Sequence, residues 1–173
     1  MTSPGAWTTV PEVLDGLVDT IIPAAIAALP STITVAGEIL TVEPPSVFWG
    51  EPDRTPAPLP LILVDDQVQA AHDIAVLPNN PGGLTDDEAY EVPIYIWVKA
   101  GDQGANAQRY ASHLAYTYFR ALAAAVKADR TIGGALRAPT LVYVKRVDGR
   151  GDKVPQVGRV GIVNAALYVL ARV

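Results

Sequence analysis

The sequence predicts an α+β domain: an antiparallel sheet of about four strands, two helices on one of its faces, and long loops or arms outside. Three observations lead there. Apolar residues between Val13 and Leu29 recur at helical spacing. Glu91–Lys99 alternates in strand fashion. A long alanine-rich helical run, at about Gln103–Ala128, is followed by two apolar strand runs, Thr140–Val147 and Val157–Val173. The 173 residues form one domain, because two would leave both halves small. Half the residues are hydrophobic, which excludes disorder throughout.

Taken in order, Thr9-Val10-Pro11-Glu12 has the spacing of a capping box, with proline tolerated in the first turn. The helix behind it carries Val13, Leu14, Leu17, Val18, Ile21, Ile22, Ala25, Ile26 and Leu29 on one face. Pro23 removes a backbone donor and predicts a kink; Pro30 ends the helix. Ile33–Val35 and Glu38–Val42 flank Ala36-Gly37, a tight hairpin, and Ser46–Trp49 is a further short strand. Residues 50–60 hold Pro52, Pro56, Pro58 and Pro60 and read as a loop or extended arm. Leu61–Val64 is a short buried strand. Residues 65–89 have weak periodicity and read as a long arm, either ordering on contact with a partner or simply flexible.

In Glu91–Lys99, the side chains of Val92, Ile94, Ile96 and Val98 form the core face. Tyr95 and Trp97 fall on the other face, which ought to be solvated. Large aromatics there mark an interface unless the loops fold over them. The long helix takes Asp102 as its N-cap and buries Tyr110, Ala111, Leu114, Ala115, Tyr118, Leu122, Ala125 and Val126. A second row, Arg109, His113, Tyr116, Arg120 and Lys127, falls within a narrow sector of the helix. Such a basic row is either a solvated face, the commoner arrangement, or a docking row for an acidic neighbour. The final strand is apolar at both parities: Val163, Leu167 and Val169 on one, Val160, Ile162, Tyr168 and Leu170 on the other. Its second face must meet a loop or another subunit.

The net charge of −5 conceals a division. Residues 1–98 carry 14 acids and one base, whereas residues 99–173 carry 12 bases and four acids. The two halves either neutralise one another within the fold, or set an acidic surface of one subunit against a basic surface of the next, in a ring or a filament. There is no cysteine, so disulfides and thiolate metal sites are excluded. The first base is Arg54, so no basic leader segment is expected, and the apolar run Leu17–Leu29 is too short to span a bilayer.

Catalytic patterns are missing. His72 and His113 lack metal-ligand spacing, and Ser112 beside His113 is no nucleophile elbow. Asp65-Asp66 and Asp86-Asp87-Glu88 read as solvated loop charges, and Gly101-x-x-Gly104 lacks the rest of a phosphate loop. The expectation is a protein with no catalytic residue, no metal and no cofactor. Arg146, Arg150, Lys153 and Arg159 cluster near the last turn, without the aromatic and basic motif of a tight DNA binder.

The strand Val92–Val98, the helix Ala105–Val126 and the segment Asp129-Arg130-Thr131-Ile132-Gly133-Gly134-Ala135-Leu136 carry a resemblance. Together they are similar to the tail terminator, or tail-completion, proteins of long-tailed bacteriophages. A similar Asp-x-Thr-Leu-Gly-Gly turn follows the long helix in that family; here Ile132 takes the place of Leu. The element order also matches over most of the chain, although the segments 50–60 and 65–89 exceed a minimal member. The resemblance implies a structural virion protein of the tail and neck, assembled in the host cytoplasm, with no membrane association. It implies a homo-oligomeric ring, a hexamer above all, that caps the tail tube, stops its polymerisation and joins it to the head connector or stopper protein. DNA passes through the lumen without specific binding. On this reading Tyr95, Trp97, Arg109, His113, Tyr116, Arg120 and Lys127 are interface residues, and Gly133 and Gly134 form a structural turn. The acidic half of one subunit then abuts the basic row of its neighbour, or acidic groups line the lumen. A head-completion protein, a tail-tube protein or an unrelated soluble interaction module are the other readings.

Overall fold

The computed structural model describes residues 8–50, 58–76, 84–100, 104–136, 139–154 and 157–172, with only the backbone of 72–76, 84–86, 139–140 and 172. The first helix is a broken rod: α1 (Val10–Gly16), one π-helical turn (Leu17–Ile21) and α2 (Ile22–Ala27). The Ile22 N–H donates to the Leu17 carbonyl, five residues back. Pro23, just inside α2, has no N–H to give and would crowd the carbonyl four residues earlier. The widened turn accommodates it, so the expected kink takes the form of a π-bulge. The capping box does not form. Thr9 is the N-cap, but its side chain makes no cap bond and serves a distant strand instead.

Strands β1 (Thr32–Val35) and β2 (Glu38–Thr41) form the expected hairpin, with Ala36 and Gly37 both at positive φ as a two-residue turn requires. The remaining strands build one sheet: β3 (Ser46–Trp49), β4 (Leu61–Val64), β5 (Ala71–Val76), β6 (Leu84–Lys99), β7 (Pro139–Val154) and β8 (Gly158–Arg172). Its order is β3-β4-β6-β8-β7, with β5 paired to the first part of β6. The architecture is mixed α+β, but among the described residues the sheet has six strands rather than about four, and β3 runs parallel to β4. Residues 65–89 are not a loop throughout, since they contain β5 and the start of β6. Residues 148–154, expected in a connection, extend β7; charged and glycine residues there disguise a strand at the edge of the sheet.

Helix α3 (Ala107–Ala128) begins later than expected, with Asn106 as its N-cap; Asp102 lies outside the described residues. It packs on β8, β7 and β6 and against α2. Its buried residues match the expected stripe, except that Ala107 joins it and Ala125 is partly exposed. Parity assigns the core face of the sheet. Tyr90, Val92, Ile94 and Ile96 of β6 join Val163, Ala165, Leu167 and Val169 of β8, and both helical rods pack on that face. Tyr118 reaches past the core to donate its hydroxyl to the Glu43 carbonyl; burial raises its pKa to about 12, keeping the donor proton in place.

The turn after α3 locks the first rod to the second. The Asp129 carboxylate accepts from the Thr131 N–H (2.9 Å), the Thr131 hydroxyl (2.6 Å) and the Gly133 N–H (2.9 Å). These bonds favour the ionised form and lower the Asp129 pKa. Ile132, Gly133 and Gly134 all take positive φ, and Ile132 is fully buried. The turn lies against the rod at its π-bulge. A Cβ on Gly16 would sit 2.1 Å from the Ile132 carbonyl oxygen, and one on Gly133 would sit 2.8 Å from the Thr20 hydroxyl.

Gly16→Ala should therefore cost about 3 kcal/mol in urea unfolding, the cost of overpacking against backbone. Gly134→Ala, whose Cβ would meet open space at φ +87°, should cost only about 1 kcal/mol of backbone strain. Equal losses would show that contact with the rod contributes nothing. The lowered pKa of Asp129 makes its contribution present above the unfolded value near 4 and lost as pH falls through the folded value. The stability gap between wild type and Asp129→Asn should accordingly shrink between pH 6 and pH 3.

Candidate interaction surfaces

The helices cover one face of the sheet, and the other carries the two aromatics singled out in β6. Register places their neighbours. Tyr95 lies between Leu63 of β4 and Asn164 of β8, and Phe48 of β3 extends that row. Trp97 lies between Leu61 and Ile162, with Arg150 beyond on β7. Farther along, Glu91, Tyr168 and Tyr143 form a row across β6, β8 and β7. The rings of Tyr143 and Tyr168 are 5.4 Å apart and tilted by 38°, a favourable aromatic geometry. Trp97 is 40% exposed, Tyr143 42% and Leu141 44%, while Ile162 and Ala166 are buried among these larger neighbours.

One described ion pair crosses this face: Lys145 Nζ on β7 meets Glu91 Oε1 on β6 at 2.5 Å, and the hydrogen bond raises the lysine pKa. It joins the acidic and basic halves of the chain within one subunit. Being exposed, it adds little to stability.

The basic row lies elsewhere. Arg109, His113, Arg120 and Lys127 are exposed on the side of α3 opposite its buried stripe. The sheet and core therefore separate them from Tyr95 and Trp97. Among the described residues no carboxylate pairs with Arg109, Arg120 or Lys127. Tyr116 leaves the row: it leans onto β7, where its hydroxyl accepts from Arg146 Nη1 (2.7 Å) and the guanidinium stands 5.7 Å from the ring centre. The structure thus brings Tyr116 and Arg146 together and leaves the other four as a solvent-facing strip. Gly133 and Gly134 lie in the turn after α3, both at positive φ.

Several members of the open face were not singled out from sequence: Phe48, Leu63, Leu141 and Tyr143. The signal for the last two was present, since Leu141-Val142-Tyr143-Val144 is apolar at both parities. Glu88 is a second departure. Expected among solvated loop charges, it is fully buried. Its carboxylate accepts from the Thr9 N–H (2.8 Å), the Thr9 hydroxyl (2.8 Å) and the Thr8 hydroxyl. The Thr9 hydroxyl also meets that of Tyr90 at 2.8 Å. A strand carboxylate thus tethers the start of α1, where the helix dipole favours negative charge. Desolvation raises the Tyr90 pKa, so this phenol stays neutral beside it.

Among the described residues no three of His, Asp or Glu come together as a metal site, and no helix is long and apolar enough to cross a membrane. The His72 side chain lies outside the described residues. A cleft of about 480 Å³ between β2, α3 and the end of β6 is lined by Glu38, Lys99, Tyr110 and Tyr118 among others, without a paired base and nucleophile.

No family model matches the chain, and no curated protein matches it. Among solved structures, it is similar to a chain of the virion of a native gene transfer agent particle, at 10% identity and a TM-score of 0.42, covering 99% of this chain and 100% of that one.

Replacing Glu88 with glutamine removes the charge and turns an amide N–H₂ toward the donors of one carboxylate oxygen, either the Thr8 hydroxyl or the two groups of Thr9. The change should lower stability by about 2–3 kcal/mol and speed amide hydrogen exchange at Val13 and Leu14. Unchanged exchange there would mean that α1 does not depend on the tether.

Proposed function

We propose that this chain is a structural virion protein of a phage-like particle, and specifically a tail terminator: a ring that caps the tail tube and presents a surface to the head connector. The observation that carries the proposal is the open sheet face. A monomeric domain ordinarily keeps large aromatics off its solvated sheet face, yet here Tyr95, Trp97, Tyr143 and Tyr168 gather on one that no helix among the described residues covers. Aromatics of this kind are enriched at interfaces, and here Glu91, Lys145 and Arg150 border them. The Asp129–Leu136 turn supports the same reading through its similarity to the terminator turn, and here it fastens the helical layer that backs the open face.

The assignment of surfaces follows from their separation. The aromatic face meets a partner that displaces water from rings, the tube or a neighbouring subunit. The strip of Arg109, Arg120 and Lys127, on the opposite side, faces an acidic surface or solvent. DNA passing through the ring would make no specific contact.

Electron microscopy of particles assembled without the chain tests this directly. Tails should then be overlong and uneven, and adding the purified protein should restore uniform ends. Tails of normal length without it would end the terminator reading, and extended tubes formed by the protein alone would indicate a tail-tube role. Trp97→Ser should cost about 1 kcal/mol of stability, as an exposed site does, while reducing tail capping at least tenfold. Full capping by that variant would remove the open face from the interface.

A further inference from the structure

The charge division along the chain becomes a division across the sheet. At one edge lies β3, with Glu43 before it and Asp65 and Asp66 beyond β4. Glu38 of β2 belongs to the same side, since the cleft it lines also contains Glu43, Leu59 and Pro60. Among the described residues up to Val98 there is no lysine or arginine, and the base that the cleft brings to these acids is Lys99 at the end of β6. At the other edge lies β7, with Lys145, Arg146, Arg150 and Lys153, and with Arg159 facing Lys153 from β8. Its two acids turn back on their own backbone: Asp148 Oδ1 accepts from the Gly149 N–H, and Asp152 Oδ1 from the Lys153 N–H.

Each edge also exposes apolar groups. Trp49 at the end of β3 is 44% exposed and Ile39 on β2 is 73% exposed. On β7 the register shifts between Arg146 and Asp148, and Val147, the extra residue, is 62% exposed amid the bases. An open strand edge is a template for pairing with another chain, and charge decides which chain it accepts. Two β7 edges repel each other, as do two β3 edges, whereas a β7 edge and a β3 edge attract.

We infer that the basic β7 edge of one copy docks against the acidic β3 side of a second copy, with Val147 and Trp49 as the apolar anchors of that contact. The inference rests on the ring reading and adds its lateral contact. The two patches differ, so each copy offers one of each and the association is head to tail, the type that closes into rings. The basic strip on α3 is then free for a different partner.

The chain has no cysteine, so introduced ones report the contact alone. Full-length Val147→Cys and Trp49→Cys proteins, mixed and treated with a short bis-maleimide, should give the mixed crosslink at least tenfold above either self-crosslink at 0.1 M salt. The yield should fall severalfold at 1 M salt. Arg150→Glu with Lys153→Glu in the Val147→Cys protein should abolish the crosslink. Glu43→Lys with Asp66→Lys in the Trp49→Cys partner should then restore it. Equal yields of all three products, or a mixed crosslink indifferent to charge reversal, would overturn the inference. Rings in micrographs without this crosslink defeat the lateral contact and leave the ring reading standing. The crosslink together with normal tails in particles lacking the chain defeats the terminator reading and leaves the contact.

Discussion

Everything else in the molecule depends on the register of β6 against β8. The two strands pair from Asp87–Arg172 to Lys99–Val160, and a slip of one residue would exchange the faces of every side chain. β8 resists such a slip poorly on its own, because both its parities are apolar. β6 resists well: a slip would put Tyr95 and Trp97 into a core shaped for Val92, Ile94 and Ile96. A close contact beneath α3 adds to this. Gly161 lies against the Ala111 carbonyl, where any Cβ would come within 2.2 Å of the oxygen. Only a glycine at that register lets the helix rest on the strand. The helix therefore helps set which face of β8 is buried, and so which aromatics stay outside.

The helical layer that enforces this register is itself held at two points distant in sequence. Glu88 fixes the start of the first rod from the strand side, and the Asp129–Leu136 turn fixes its middle from the end of α3. Both devices use a carboxylate to satisfy backbone N–H groups that would otherwise lack partners. Both sit near places where the rod departs from a regular helix, at its N-terminus and its π-bulge. The resemblance-bearing turn is thus more than a change of chain direction. It is a packing joint whose close approach excludes any side chain at Gly16.

Much of this was legible in the sequence because it follows from period and parity. The core stripe of α3, the core face of β6, the β1–β2 hairpin and the doubled apolarity of β8 were all read from residue spacing alone. What escaped reading depended on contacts between distant segments. Thr9 and Glu12 have capping-box spacing, but Glu88 captures the Thr9 hydroxyl from 79 residues away. Residues 148–154 look like a loop because an exposed edge strand is selected for charge and for glycine rather than for apolar alternation. Tyr116 falls in the basic row by angle, yet its ring is long enough to reach β7 and stack with Arg146. The separation of the aromatic face from the basic strip was also invisible, since it needs the side of the sheet on which α3 lies.

That separation bears on how the charge division is used. A single intramolecular neutralisation would bring acids and bases together throughout the fold, whereas the Glu91–Lys145 pair joins the halves at β6 and leaves the β3 side out of its reach. Strand order explains why. Within the sheet the acidic half supplies β3, β4, β5 and β6, the basic half supplies β7 and β8, and there the halves meet along the β6–β8 seam. Charges on the outermost strands are held apart by the width of the sheet, beyond the reach of strong Coulomb attraction in salt. A polarity of this kind is costly for an isolated domain, because each edge concentrates like charges. The cost is offset when the opposite edge of another copy supplies the counter-charge. The same strand order that keeps the edges apart thus leaves each copy with one acidic and one basic flank, on either side of an aromatic face.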